Sequence, residues 1–509
     1  MTGAISAATR HYRTMFARRS AKELHELAHI KRFMERLVGD QSFRDALAQN
    51  IDEPQRVTER YGIDVDPRLM LPLWRGNYLH YRFKPEGEQW PLAGTWDVYM
   101  REMLQHRDML RDEGDMAQAN PRFHAWRERQ MRRCAAELGG SAASVTHPVI
   151  AFELSEGCTV GCWFCGLSAD RFKGHYAYTD ESAELWRGVV GVAQDLFGPA
   201  VRTGFCYWAT DPCDNPDYDR FLHDYYRVTG ALPQTTTAAP LKNLDLTRRV
   251  LALFDKYRTV TNRFSVLTRR QLDQIHATFS AEELMGVELV MQSKESLTAK
   301  AEAGRARDRR EKLRAANMDD AISLLQRDHT TIACVSGFLV SMPQKRIQLV
   351  TPVPGSERWP LGYRIVAERN FASIEDFRDA VAAIIEEHMR PGLPAQRPIR
   401  FRRDLAYSQD SGRFRLHCSN MDYDIRDDVA RRPIGELIAA GSHTASSLVA
   451  EVAGNGMEIM AVADLLDQLH EAGVLEEDLD DRFAGQRNEG LDMRMKRAAS
   501  RGESHAVPA

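Results

Sequence analysis

Three cysteines at C-x3-C-x2-C spacing constrain this chain more than any other feature. They fall in Cys158-Thr159-Val160-Gly161-Cys162-Trp163-Phe164-Cys165, just after the apolar run Val149-Ile150-Ala151-Phe152-Glu153-Leu154. An iron–sulfur cluster needs soft thiolate ligands gathered within a few ångströms. A short loop leaving a strand can wrap round such a group, and Gly157 and Gly161 allow tight backbone there. Three ligands on a four-iron cube leave one iron open to a substrate or cofactor. A zinc knuckle or three unrelated buried cysteines are the plainer alternatives. Zinc would want a fourth Cys or His at ligand spacing, and the nearest, His175, stands ten residues on.

The other five cysteines, Cys134, Cys206, Cys213, Cys334 and Cys418, are scattered singly. Eight in 509 residues do not make a disulfide scaffold; they suit a reducing compartment, where a low-potential cluster survives. The length suggests two to four domains. A net charge of −4 argues against a general nucleic-acid binder. No apolar run reaches membrane-spanning length, and Met1-Thr2-Gly3-Ala4 opens no signal-peptide core. A cytoplasmic protein is expected.

Residues 1–140 read as a helical region. Within 30–74, Phe33, Leu37, Phe43 and Leu47 recur near helical spacing, and Pro54 starts a second helix that Gly62 can cap. This hairpin is similar to the leader peptides that precede modified ribosomal peptides. From 145 to 397 strands alternate with helices: strands at 149–154, 203–208, 234–238, 262–267, 286–292 and 332–341, then 346–351, with a charged helix at 301–326. The expected class is α/β. Residues 398–477 form a further module, with a strand at 414–418 and helices at 433–440, 445–452 and 461–471 ending at Gly473-Val474-Leu475. The polar stretch 484–509 reads as a disordered tail.

The cysteine spacing, with an aromatic Phe164 before the last cysteine, resembles the signature of the radical SAM superfamily. The resemblance implies a partial (βα)6 barrel, a 4Fe-4S cluster on Cys158, Cys162 and Cys165, and S-adenosyl-L-methionine on the open iron. Reduction would then yield a 5′-deoxyadenosyl radical that abstracts hydrogen from a substrate. Function in parallel barrels gathers at the C-terminal strand ends, where the cysteine loop and Ala209-Thr210-Asp211-Pro212 both fall. In this family a Gly-Gly-Glu segment after strand two binds the methionine amino group. Ala209, Thr210 and Asp211 take that place here, unless Asp211 only caps the turn. Strand four often supplies a polar residue and a cation, for which Arg263 and Ser265 stand, with Arg269, Gln292 and Ser293 behind them.

Segments 152–166, 207–218 and 336–364, with the tail module, are similar to the radical SAM peptide epimerases that turn L-residues of a ribosomal precursor into D-residues. The module looks like a peptide-recognition winged helix; its acidic end Glu476-Glu477-Asp478 would repel nucleic acid. Inversion of an α-carbon needs a hydrogen donor on the opposite face, and a cysteine thiol suits it: Cys418 or Cys334, although either can be a buried structural cysteine. The partners implied are a precursor peptide with its leader and an external electron donor of flavodoxin or ferredoxin type. The alternatives are another radical SAM peptide modification, a crosslink or oxidation, and a non-catalytic iron–sulfur or zinc sensor with a winged helix.

Overall fold

The computed structural model describes residues 5–293, 302–317, 331–418, 420–427, 433–454, 459–477 and 482–485. The chain is a mixed α/β protein. Among the described residues no helix is long and apolar enough to cross a membrane.

The described residues from 5 to 140 are largely helical, as expected. Helices α1 (Ala7–Ala17), α2 (Ala21–Gly39), α3 (Gln41–Gln49) and α4 (Gln55–Arg60) lead to the long α5 (Pro91–Asp115) and α6 (Pro121–Leu138). Phe33, Phe43, Leu47 and Val57 do form one core, which extends to Trp90 and Leu92. That core does not stand free of the rest. From α2, Arg32 donates to the Phe279 carbonyl at 2.6 Å and Glu35 bonds His276 at 3.0 Å. The hairpin region is thereby bolted to the α/β body.

That body contains β1 (Ile150–Glu153), α7 (Asp180–Phe197), α8 (Tyr218–Thr229), β2 (Thr236–Thr237), α9 (Leu244–Tyr257), β3 (Asn262–Val266), α10 (Arg269–Thr278), β4 (Val287–Met291), α11 (Gly304–Ala315), β5 (Gly337–Ser341), β6 (Arg346–Pro352), β7 (Tyr363–Asn370) and α12 (Ile374–His388). Period-2 burial sorts β1: Ile150 and Phe152 pack with the helices, including Trp186 and Val190 of α7, while Ala151 joins an interior cluster on the other face. Strands β2, β3 and β4 pair in parallel, with Thr236 opposite Arg263 and Arg263 opposite Glu288.

Three expectations need correcting. The strand expected at 203–208 reduces to Phe205, which bridges Ala151 and Gln234 in parallel and joins β1 to the β2 sheet. Gly204 permits this close crossing: a Cβ there would lie 2.5 Å from the Tyr225 hydroxyl. The strand expected at 332–341 begins only at Gly337, whose Cβ position would lie 2.0 Å from the Val149 carbonyl. It pairs with β1, Phe338 opposite Ile150, and not with β4. The order is therefore not that of six consecutive units, and β6 and β7 add antiparallel strands beyond β5. The expected helix 301–326 is described over Gly304–Ala315, and its end lies outside the described residues.

The last module has a three-stranded antiparallel meander, β8 (Ala406–Asp410), β9 (Arg413–His417) and β10 (Asp422–Arg426), and then helices α13 (Ile434–Ala440), α14 (Ala445–Gly454) and α15 (Ile459–Glu471). The predicted helices all form. The sheet precedes them, and after α15 a single bridge joins Leu475 to Phe401. Of the expected tail at 484–509, only 484–485 are described.

Candidate functional site

The cysteine loop leaves the C-terminal end of β1. Ser155–Glu156 pairs antiparallel with Gly174–His175 and closes the base of the loop. Inside it, the Cys158 N–H donates to the Asp170 carbonyl at 2.9 Å. Gly157 has φ +74°, and a Cβ would lie 2.2 Å from the Arg171 carbonyl, so no other residue fits. A further tie holds the outer turn: Asp214 accepts from the Thr159 N–H at 2.9 Å and pairs with Lys242 at 2.5 Å.

All three thiols of the loop are half-buried. Burial pushes Cys158 up to about 12 and Cys162 up to about 11. They would ligate as thiolates only beside a strong positive centre, such as iron would supply. Among the described residues, one set of His, Cys, Asp or Glu ligand atoms lies mutually within 4.8 Å, namely His25, His29 and Glu282. The cysteines are spread more widely. Tetrahedral zinc would draw them to about 3.8 Å of one another; a polynuclear cluster tolerates the wider spread. At the histidine set, His29 Nδ1 accepts the Asp64 N–H at 3.0 Å, so its other nitrogen carries the proton and offers no lone pair.

The loop at 209–212 lies beside the cysteines, as expected, but its side chains are arranged differently. The Asp211 carboxylate is buried and accepts from the Thr237 hydroxyl (2.7 Å), the Ala238 N–H (2.7 Å) and the Cys213 N–H (2.9 Å). It staples this loop to the end of β2, so the turn-capping reading holds for its side chain. The Ala209 N–H is taken by Glu153 at 3.0 Å. Thr210 keeps a buried hydroxyl that finds no partner among the described residues, a polar atom that a bound cofactor can satisfy. Phe164 packs edge-on against Trp163, 5.2 Å between centroids.

Arg263 is corrected. It stands near the start of β3, pairs with Glu288 at 2.7 Å, and lines a cavity of about 570 Å³ with Tyr207, Gln234 and Cys334. That is the end of the strands away from the cysteine loop. Ser265, two residues on, faces the same interior side and is half-buried. Arg269 bonds Ser42 of α3 and points away.

The two candidate donor thiols part company. Cys334, just before β5, borders the interior apolar cluster of Ala151, Phe205, Leu339 and Tyr363, which Cys165 also borders. Cys418 lies in the core of the last module, its thiol 3.0 Å from the Ala136 carbonyl of α6. The structure does not bring Cys418 to the site.

Sequence reasoning missed two residues. Glu153 ends β1 on the interior side, and burial pushes its carboxyl up to about 7. An acid closing an otherwise apolar run was the available signal. Arg305 donates its backbone N–H to the Cys165 carbonyl at 3.0 Å, and no local pattern announces that contact.

Comparison with known proteins places the chain among relatives. A family model described as the protein y4wI C-terminal domain matches residues 399–473. The uncharacterized protein y4wI of Sinorhizobium fredii (strain NBRC 101917 / NGR234) is 62% identical over 481 residues, covering 94% of this chain and 93% of that protein. The crystal structure of BtrN in complex with AdoMet and 2-DOIA aligns with 47% of this chain and 82% of its own, at 11% identity and a TM-score of 0.28, a level too low to bear on fold or function. With most of its length matched at that identity to the Sinorhizobium protein, the chain belongs to the y4wI family.

Proposed function

We propose that this chain is a cytoplasmic radical SAM enzyme that holds one 4Fe-4S cluster on Cys158, Cys162 and Cys165, uses S-adenosyl-L-methionine, and inverts residues of a ribosomally made peptide. The observation that carries the reading is that Cys165 and Cys334 border one interior apolar cluster. That apolar cluster spans the interior, with the cysteine loop at one end and Cys334 reaching it from the cavity beside Arg263. When bound, the cluster and S-adenosylmethionine supply hydrogen-atom abstraction from a peptide Cα. The chain's own part is to exclude water with Phe205, Leu339 and Tyr363 and to return hydrogen from Cys334. Burial pushes that thiol up to about 12, so it keeps its hydrogen at neutral pH. Thr210, whose buried hydroxyl has no partner among the described residues, and Ser265 would hold the cofactor. The module at 398–477 recognises the precursor, and an external one-electron donor reduces the cluster.

The test is mass spectrometry of a precursor peptide from the same gene neighbourhood, incubated with reduced enzyme and S-adenosylmethionine in D2O. A thiol exchanges its proton with solvent, so inversion adds about one dalton per residue. A loss of two hydrogens would replace epimerisation by crosslinking or oxidation. A protein that purifies with zinc in place of iron, or whose reduced iron–sulfur EPR signal S-adenosylmethionine does not perturb, would be a sensor.

A further inference from the structure

The cavity of about 570 Å³ beside Arg263 lies between the helical region and the strands. Folded interiors leave few gaps larger than a water molecule. A gap of this size has the dimensions of a small-molecule site. The function proposed above uses its wall only at Cys334.

Two helices give the cavity an apolar wall. Trp96, Met100, Met103 and Arg107 of α5 recur at helical spacing and line it from one face of that helix. Met34 and Val38 of α2 line it as well. Methionine side chains are flexible and polarizable, so such a wall adapts to ligands of varied outline. Met100 and Leu104 stay 36% and 45% exposed, which leaves apolar surface on this wall uncovered by the fold.

The strands give the cavity a polar wall. Arg263 of β3 and Glu288 of β4 stand opposite each other in register and pair at 2.7 Å. The bond uses only Nε of Arg263. Its two terminal nitrogens have no hydrogen-bond partner among the described residues, so one edge of the guanidinium is open. The polar groups around it are already engaged. The Tyr207 hydroxyl donates to Gln234 and accepts from Thr236 at 2.7 Å, and the Gln234 amide donates to the Thr235 carbonyl at 2.9 Å.

Elsewhere on the wall, Lys31 pairs with Glu35 and Arg107 with Asp108. Arg202 donates to the Thr229 carbonyl at 3.0 Å and pairs with no described carboxylate. Among the described residues, the cations at this cavity therefore outnumber the carboxylates that neutralise them. An anionic group buried here is favoured, and an open guanidinium edge accepts a carboxylate through two parallel hydrogen bonds.

We infer that this cavity binds a small amphipathic carboxylic acid, with its carboxylate on the open edge of Arg263 and its alkyl or aryl body along Met100, Met103 and Trp96. The site needs neither a cluster nor S-adenosylmethionine, and it lies at the end of the strands away from the cysteine loop. It goes beyond the function proposed above. Its occupant would lie against Cys334, which lines the same cavity.

The experiment titrates decanoate, decanol and decylammonium calorimetrically into the full-length protein. The native chain should bind one decanoate, and the neutral and cationic probes at least roughly ten-fold more weakly, as expected for loss of a charge-assisted pair. Arg263→Met should bind decanoate no better than decanol. Met100→Glu, at an exposed position on the apolar wall, should keep the native circular dichroism and bind decanoate at least roughly ten-fold more weakly. It decides alone if Arg263→Met does not fold. A native chain that binds no decanoate, or binds decanol as tightly, overturns the inference. So does a preference for decanoate that survives in Arg263→Met, or a Met100→Glu variant that binds as the native chain does. The titration reads the same with or without iron in the protein, so its failure is separate from failure of the function proposed above.

Discussion

Glu153 accepts a hydrogen bond from the Ala209 N–H at 3.0 Å, tying the end of the first strand to the loop that lies beside the cysteines. The contact couples one titratable group to the geometry of the site. Burial raises the Glu153 carboxyl from 4.5 to about 7. Its folded value lies above its unfolded one, so the stability it contributes is present below about 4.5 and is lost as pH rises through about 7. Glu153→Gln mimics the protonated form. Its thermal midpoint relative to the native chain should climb between pH 5 and pH 8, by at most about 3 kcal/mol in free energy. A difference that stays flat with pH would show that the carboxyl titrates normally.

The two loop glycines differ in what they tolerate. Gly161 has φ +67° and open space at its Cβ position. Gly161→Ala should cost about 1 kcal/mol and still assemble iron. At Gly157 the same change drives a methyl into the Arg171 carbonyl, 2.2 Å away, and should cost several times more and lose the iron. Iron content and chemical denaturation of both variants decide this.

Single alanine variants at Cys158, Cys162 and Cys165 should each abolish the visible iron–sulfur absorbance after reconstitution. Cys134→Ala, at a buried position in α6, should leave it intact. Iron retained in any of the three would exclude that residue as a ligand.

Cys418→Ala removes a buried sulfur from the last module's core and should destabilise by about 1–2 kcal/mol while leaving peptide turnover unchanged. Cys334→Ala should form 5′-deoxyadenosine without deuterium gain in the peptide. The reverse pattern would move the hydrogen donor to Cys418.

Asp211→Asn turns an acceptor into a donor opposite the Ala238 N–H or the Thr237 hydroxyl. The expected loss is about 2 kcal/mol, with weaker S-adenosylmethionine binding as the loop loosens. Unfolding midpoints and equilibrium dialysis measure the two effects separately; no change in either would remove Asp211 from the support of this loop.

Much of this was legible in residue order. The cysteine loop with its glycines, the alternation of strand and helix from Ile150 to Met291 apart from the strand expected at 203–208, and the three helices of the last module follow from local chemistry. Spacing along the chain and residue type are enough to specify such features, because each depends on neighbours within a few positions. Strand β7 and helix α12, which follow the expected strand at 346–351, were harder. Tyr363–Asn370 lacks clean alternation, because its first half is buried on both faces against neighbouring elements and its last three residues are exposed.

What residue order determined by itself was therefore the inventory: three cysteines on one loop, a mixed α/β body, and a helical module behind it. Only the tertiary structure decided which groups meet. It paired β5 with β1, sent Arg263 and Cys334 to a cavity at the end of the strands away from the cysteine loop, locked Asp211 onto three internal donors, buried Cys418 in another core, and let Cys334 and Cys165 border one apolar cluster from different ends. The reason is physical. A side chain's direction on a strand follows from the local period, but its partner follows from which distant strand lies alongside, and that choice is made by packing over the whole chain.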